Sequence, residues 1–277
     1  MADVRPQDRT DLDRPGRADL HIHTVASDGI ADVITILEDV AARGELDVIA
    51  ITDHERIDAA LAGRSIAQDR GLPLEVVIGE EVTTLGGHLL ALFIDRRIQP
   101  YRSLRRTIAD VHDAGGIAVP AHPLVPYPLC AQGWVLRRLL DDPDAAVRPD
   151  ALETFNPTAL GRPWHDRVVR FADQQGLARI GNSDAHALDA VGAGWTAFPG
   201  RTATDLRAAI ERSATDHGGS FHGTAGQFGV FGRQLRKRAI DARDEVAGRI
   251  RRSGTGRDHG YPGGRARPPR YEPPGAP

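Results

Sequence analysis

Between residues 19 and 181 the chain alternates short, nearly continuous apolar runs with helix-length amphipathic stretches. The spacing predicts strands over Asp19–Thr24, Asp47–Thr52, Glu75–Thr84, Gly87–Ile94, Gly116–Pro120, Ala151–Phe155 and Leu177–Gly181. Runs such as DVIAIT and HLLALFI suit strands buried on both faces of a sheet. Helices are predicted over Asp32–Arg43, Ile57–Arg70, Arg102–Ala114, Trp134–Leu140, Trp164–Gln175 and Thr202–Ser213. Gly44, Gly71 and Gly115 stand where a helix C-terminus favours a left-handed residue. Strand–helix alternation of this kind predicts a parallel α/β architecture, open or closed into a barrel. In such folds the functional residues gather at the C-terminal ends of the strands.

Composition sets the outer bounds. The chain has 277 residues, 40% hydrophobic and 26% charged, which suits a globular protein with a sizeable core. No apolar run approaches the roughly 18 residues of a membrane span, and the polar N-terminus has no signal-peptide pattern. Cys130 is the only cysteine, which excludes an internal disulfide framework; it lies near none of the polar motifs and reads as a packing residue. These features predict a cytoplasmic protein. Residues 233–277 hold 12 basic and 5 acidic side chains, a net of +7, which leaves residues 1–232 at −10. An acidic folded part is what a cation site tends to produce. Residues 216–229 are rich in Gly, Ser and His, residues 231–252 read as a basic helix, and the Gly/Pro/Arg-rich end reads as disordered.

The histidines sharpen this picture. Six of the 11 lie in or just after apolar runs: His21 and His23 in DLHIHT, His54 in ITDH, His88 in GGHLLALF, His122 in AVPAHP and His186 in GNSDAH. His21 and His23 are two apart, so on a strand they share a face. Carboxylates accompany them: Asp28 in SDG, Asp53 beside His54, Glu80 and Glu81 in the third strand, and Asp184 beside His186. Burying so many ionisable groups without a cation would cost several kcal/mol per unpaired charge. Imidazole with carboxylate and no thiolate favours Zn, Mn or Fe over Ca or Mg.

The ordered set DLHIHT, SDG, ITDH, GEEVTT, GGH, AHP and GNSDAH resembles the PHP (polymerase and histidinol phosphatase) domain family over roughly residues 17–215. The resemblance implies a distorted seven-stranded (β/α) barrel with up to three divalent metals, Mn, Fe or Zn, at the strand C-termini. It implies that His21, His23, Glu81 and Asp184 hold a first metal, that Asp28, His54 and His186 hold a second, and that Glu81, His88 and His122 hold a third, with Glu81 bridging. Glu81 is preferred to Glu80 because EVTT matches the family's glutamate. Neighbouring strand carboxylates point to opposite faces, which leaves Glu80 toward helices or solvent without an explanation. Asp53 and Asn182 read as supports, one orienting His54 or a water, the other fixing the loop that presents Asp184. The domain reading is a flexible leader over 1–16, the PHP domain over 17–215, an extension with the basic helix over 216–253, and a disordered tail over 254–277.

The same resemblance implies hydrolysis of a phosphate ester by a metal-bound hydroxide, with His54, Asp184 and His186 as the catalytic side chains. Arg162, just past a strand end, is a candidate contact for substrate phosphate. No G-x-S-x-G or P-loop pattern offers another mechanism. Expected substrates are small phosphorylated molecules, among them nucleotides and short oligonucleotides. His88 and His122 are only 34 residues apart, too close for the inserted subdomain that many nucleotide-acting relatives carry, which keeps histidinol phosphate as an alternative. A PHP scaffold serving as a non-catalytic binding module, its partner met by the basic helix, is the alternative of another class. The presence of every expected ligand favours an enzyme.

Overall fold

The computed structural model describes residues 14–158 and 161–221. The basic helix and tail lie outside the described residues, as do the first thirteen residues of the leader. Nine strands form: β1 (Gly16–Ile22), β2 (Val48–Ile51), β3 (Glu75–Thr84), β4 (Gly87–Leu92), β5 (Ile117–Pro120), β6 (Ala151–Phe155), β7 (Ala178–Gly181), β8 (Gly194–Phe198) and β9 (Asp216–Gly219). The helices are α1 (Val33–Arg43), α2 (Asp58–Asp69), α3 (Leu104–Asp113), α4 (Gly133–Leu140), α5 (His165–Gln175) and α6 (Ala203–Glu211). The seven strands expected from sequence are all present, and Gly44, Gly71 and Gly115 do adopt left-handed φ values of 63°, 61° and 72°.

Seven strands make one curled sheet in the order β5-β4-β3-β2-β1-β8-β9, and β6 and β7 pair separately. The β6–β7 pair packs between β5 on one side and β8 and β9 on the other, which completes the barrel wall. Backbone and side-chain bonds stitch the seams: Asp150 N–H donates to Ala118 O at 3.0 Å, and Thr196 Oγ1 donates to Gly181 O at 2.8 Å. The all-parallel expectation needs correction. The neighbours β1, β2 and β3 are parallel, as are β6 and β7, but β4 runs against β3 and β5, and β8 runs against β1 and β9. The cause at β4 is local: only Leu85 and Gly86 separate it from β3, a link too short for the crossover that parallel neighbours require.

Alternation along the strands sorts two apolar layers. Val48, Ala50, Val77, Leu90, Leu92, Ile117 and Val119 face the barrel interior, where Leu206, Ala209 and Ile210 of α6 join them. Ile49, Ile51, Val76, Ile78, Leu89 and Ala118 face outward, under helices such as α1 with its buried Val33, Ile36, Leu37 and Val40. Each valine, leucine or isoleucine among them contributes about 1.5–3 kcal/mol when fully buried. The period of two then decides the chemistry. Glu81 shares the inward parity of Val77, His88 that of Leu90, and Glu153 that of Ala151, so all three point into the barrel. In β1 the register shifts between Asp19 and Ile22. Ala18 and Leu20 belong to the inner layer and Ile22 to the outer one. That slip is what turns His21 and His23 inward.

Candidate metal centre

The inward-facing polar residues meet at the C-terminal ends of the parallel strands. His21 comes from β1 and His23 from the residue just past it, His54 from the loop after β2, Glu81 from β3, His88 from β4, His122 from the loop after β5, and Asp184 and His186 from the loop after β7. The last loop is docked by backbone bonds: Ala185 N–H donates to His21 O at 3.1 Å, and His23 N–H donates to Ala185 O at 2.8 Å. Asp28 hangs on a tight turn. A Cβ on the following Gly29 would lie 2.3 Å from His23 O, so the SDG turn can close only on glycine.

All nine residues expected from sequence come together. Glu81 is the hub: its Oε1 lies 2.7 Å from His88 Nδ1 and 3.2 Å from His122 Nε2, and its Oε2 lies 3.3 Å from His21 Nε2, 3.2 Å from His23 Nε2 and 3.3 Å from His54 Nδ1. Asp184 Oδ1 stands 3.4 Å from His21 Nε2 and 3.5 Å from His23 Nε2. Asp28 Oδ1 stands 3.1 Å from His186 Nε2, 3.6 Å from His23 Nδ1 and 3.7 Å from His54 Nε2. Three groups offer ligand atoms within 4.8 Å of one another: His23, Asp28, His54 and His186; His21, His23 and Asp184; and His54, Glu81 and His88. His21 and His23 are fully buried and form the floor, whereas His54, at 20% side-chain exposure, belongs to the rim with His122, Asp184 and His186.

The donor set fits divalent cations. Among the described residues, His21 Nε2 and both ring nitrogens of His23 make no well-formed hydrogen bond although they are buried. Such orphaned nitrogens are costly unless they ligate. Electrostatics say the same. Burial disfavours a charged His23, yet Asp184, Glu81 and Asp28 push its pKa up to about 10; His21 is raised by Asp184, Glu81 and Glu153 against the same burial. Burial also opposes ionisation of Glu81 and Asp184, and the surrounding imidazoles hold both carboxyls well below the usual range. His54, where burial prevails, is lowered. The pocket therefore concentrates anionic oxygen and holds protons in place of cations, which metal ions would displace.

A ring of supports surrounds these side chains. The Asp53 carboxylate bonds to Thr24 and Ser27 and not to the His54 ring. It accepts from Thr24 N–H at 2.8 Å, from Thr24 Oγ1 at 2.7 Å and from Ser27 Oγ, and so holds the turn that carries Asp28. Asn182 donates to Glu153 Oε1 at 2.9 Å and accepts from Leu20 N–H at 3.0 Å, tying the β7 end to β1. His186 Nδ1 lies 3.0 Å from Asp184 O, which leaves Nε2 free to face Asp28.

Four contributors escaped the sequence reading. Glu153, fully buried, meets His21 Nδ1 at 2.9 Å and accepts from His122 N–H at 2.6 Å. Asn156 donates to Asp184 Oδ2 at 3.2 Å. Asp19, its pKa raised to about 6 by burial, accepts from Ser183 N–H at 3.0 Å and Gly192 N–H at 2.8 Å and anchors the last loop. Cys130, expected to lie apart from the motifs, instead places Sγ 3.2 Å from His122 Nδ1. Glu80 also gains an explanation: it faces away from the cleft, accepts from Ile98 N–H at 2.8 Å, and lies 3.6 Å from Arg97, while burial raises its pKa to about 7. Arg162 is exposed and stacks over Phe221 at 5.5 Å.

The structure is a curled α/β barrel that gathers a histidine–carboxylate cluster, able to hold metal ions, at its strand ends. Residues 162–215 match the PHP-associated family. The chain is 32% identical over 151 residues to MJ1587, an uncharacterized protein of Methanocaldococcus jannaschii, covering 50% of this chain and 81% of that one. It is 36% identical over 81 residues to the 5'-3' exoribonuclease Rnm of Salmonella typhimurium, covering 28% and 27% of the two chains. In fold it is similar to a two-domain Bacteroides vulgatus protein containing a predicted PHP-like metal-dependent phosphoesterase, with a TM-score of 0.59, 18% identity, and coverage of 82% and 71%. The chain belongs to the PHP family. Among the described residues no helix is long and apolar enough to cross a membrane.

Proposed function

We propose that this protein is a metal-dependent phosphoesterase that hydrolyses a nucleotide, a short oligonucleotide or another small phosphate ester. One observation carries the reading: five imidazoles converge on the single buried carboxylate of Glu81, with Asp28 and Asp184 closing the cluster. The likeness to a PHP-like phosphoesterase and to an exoribonuclease supports the reaction class. The assigned ligands are His21, His23, Asp28, His54, Glu81, His88, His122, Asp184 and His186, for up to three ions of Mn, Fe or Zn. Bound divalent metals would acidify a water and neutralise phosphate oxygens.

The chain's own residues divide the remaining work. His21 and His23, with no exposure, keep bulk water from beneath the reacting groups. His54, Asp184 and His186 reach the rim: His54 and His186, with Nε2 turned to Asp28, would hold an ion and so orient the attacking water, and Asp184 Oδ2, the oxygen not engaged by His21 and His23, would exchange protons with that water or the leaving oxygen. Asn156 holds Asp184 Oδ2 in place. Arg162 follows Gly161, which lines a small pocket with His122, Glu153 and Asn156, and is assigned to a substrate phosphate oxygen. From His88 to His122 the chain contains only β4, α3 and β5, so no inserted subdomain restricts the substrate from that side.

The test is reconstitution of purified protein with Mn, Fe(II) or Zn and a screen of p-nitrophenyl phosphate, nucleotides, bisphosphates, oligonucleotides, sugar phosphates and histidinol phosphate. The expected result is phosphate release that falls about 100- to 10,000-fold in His54→Ala and Asp184→Ala. Metal removal should lower Tm by roughly 5–10 °C. A protein whose melting ignores these ions and that cleaves none of the esters would refute the reading.

A further inference from the structure

Outside the metal centre, α4 and α5 form a seam with an unusual charge arrangement. A pocket of about 150 Å³ there is lined by Arg137 of α4 and by Arg167 and Arg170 of α5, with Gly133 and Leu124 beneath them. None of the three arginines pairs with a carboxylate among the described residues. Asp173, three residues past Arg170, is held by Arg179 at 2.9 Å, and Asp142, five past Arg137, by Arg105 at 3.0 Å. Two of the guanidiniums rest on rings, Arg137 5.6 Å from Phe171 and Arg167 5.6 Å from Trp164, which limits their freedom before anything binds. Three clustered cations without counter-ions repel one another, and an anion relieves the repulsion.

The pocket adjoins the catalytic cleft. Leu124 and Arg167 line it, while their chain neighbours Val125 and Val168 line the small pocket that His122, Glu153 and Asn156 also border. At the start of α4 Trp134 is 68% exposed, and Tyr127 in the loop before it is 55% exposed. Trp134 precedes Arg137 by three residues, so the two share a face of α4. Exposed aromatic rings beside arginines suit stacked bases alternating with phosphates.

We infer that the Arg137–Arg167–Arg170 pocket binds a backbone phosphate of a single-stranded oligonucleotide whose terminal nucleotide occupies the metal cleft, with Trp134 stacking on a base. The inference rests on the phosphoesterase reading for the role of the cleft, and its test is a binding measurement that does not need turnover. The probe is a fluorescent, cleavage-resistant phosphorothioate decanucleotide titrated against the metal-loaded protein by anisotropy. Arg137→Gln, Arg167→Gln and Arg170→Gln combined should weaken binding at least tenfold and flatten the logarithmic salt dependence by about 0.7, the value for one phosphate of a single strand. Trp134→Ala should weaken it roughly tenfold further. Hydrolysis of p-nitrophenyl phosphate by the triple variant should stay at the wild-type level. Arg64→Gln, which removes an exposed arginine on α2, should leave binding unchanged. The inference is overturned if the wild type does not bind the probe, if the triple variant binds it as well as the wild type, or if Arg64→Gln costs as much. It is equally overturned if inorganic phosphate binds as tightly as the oligonucleotide, since the pocket would then be a site for a free anion. A protein inert toward every ester that still passes these binding tests would sink the phosphoesterase reading and leave this one standing.

Discussion

Glu153 Oε1 lies 2.9 Å from Nδ1 of His21, with both side chains completely shielded from solvent. Every other partner of this carboxylate is a donor: Asn182 Nδ2 at 2.9 Å, His122 N–H at 2.6 Å and Asn156 Nδ2 at 3.3 Å. Glu153 therefore holds the His21 proton on Nδ1 and leaves Nε2 for a metal. In Glu153→Gln the new amide N–H would face Asn182 Nδ2 or His122 N–H, which only donate, or turn His21 to the tautomer with its proton on Nε2, the nitrogen meant for the metal. Metal affinity should fall roughly 10- to 100-fold, read by titration calorimetry or by metal content after dialysis. Unchanged affinity would reduce Glu153 to a packing residue.

The turn that presents Asp28 depends on Asp53. Its two oxygens take three donors, two of them from Thr24. Asp53→Ala strands those donors in a buried setting and should cost on the order of 1–3 kcal/mol in urea unfolding. Asp53→Asn should cost less, because the Thr24 hydroxyl can rotate to accept from the new amide. If the two variants are equally destabilised, the hydrogen bonds are not the cause.

His112, remote from the cleft, makes a contact whose strength depends on pH. Its Nδ1 lies 2.7 Å from Ala146 O and its Nε2 2.9 Å from Asp150 Oδ2, and both partners accept only. The ring satisfies both when doubly protonated, and the bond to Asp150 raises its pKa above 6.5. A raised imidazole pKa contributes stability that is complete below the unfolded value of about 6.5 and is lost as pH rises through the folded value. The pair is partly exposed, so its worth is about 0.5–1 kcal/mol. Denaturant midpoints of wild type and His112→Gln should thus differ most near pH 5.5 and converge by pH 9. A gap that widens with pH would contradict the charged ring.

The sequence disclosed the strands and the main polar cluster because both depend on local pattern. DLHIHT, ITDH and GNSDAH each end an apolar run, and the termini of buried strands are where a barrel gathers polar side chains. Glu153 was equally visible, as a lone acid inside the apolar strand ALETF, but no neighbouring motif drew notice to it. β8 and β9 were not visible. GWTAF stands in a loop-like setting between Val191-Gly192-Ala193 and Pro199-Gly200, and DHGG is half glycine with no apolar residue; they become strands by pairing with β1 and with each other. The slip in β1 was also hidden. Parity alone tells that His21 and His23 share a face, whereas which face they take is decided by register against β2, a property of two strands together.

Two of the three ligand groups are completed only by residues from the loop after β7. As the polypeptide leaves the ribosome, the histidines of β1 are made more than 160 residues before Asp184 and His186. Until that loop emerges and lies against β1, His54, Glu81 and His88 are the one group of the three that a nascent chain can complete. A truncated product ending before Asp184 would therefore carry most of the ligands and still lack the two groups that contain His23, so the order of synthesis itself delays full ion loading until the barrel is nearly whole.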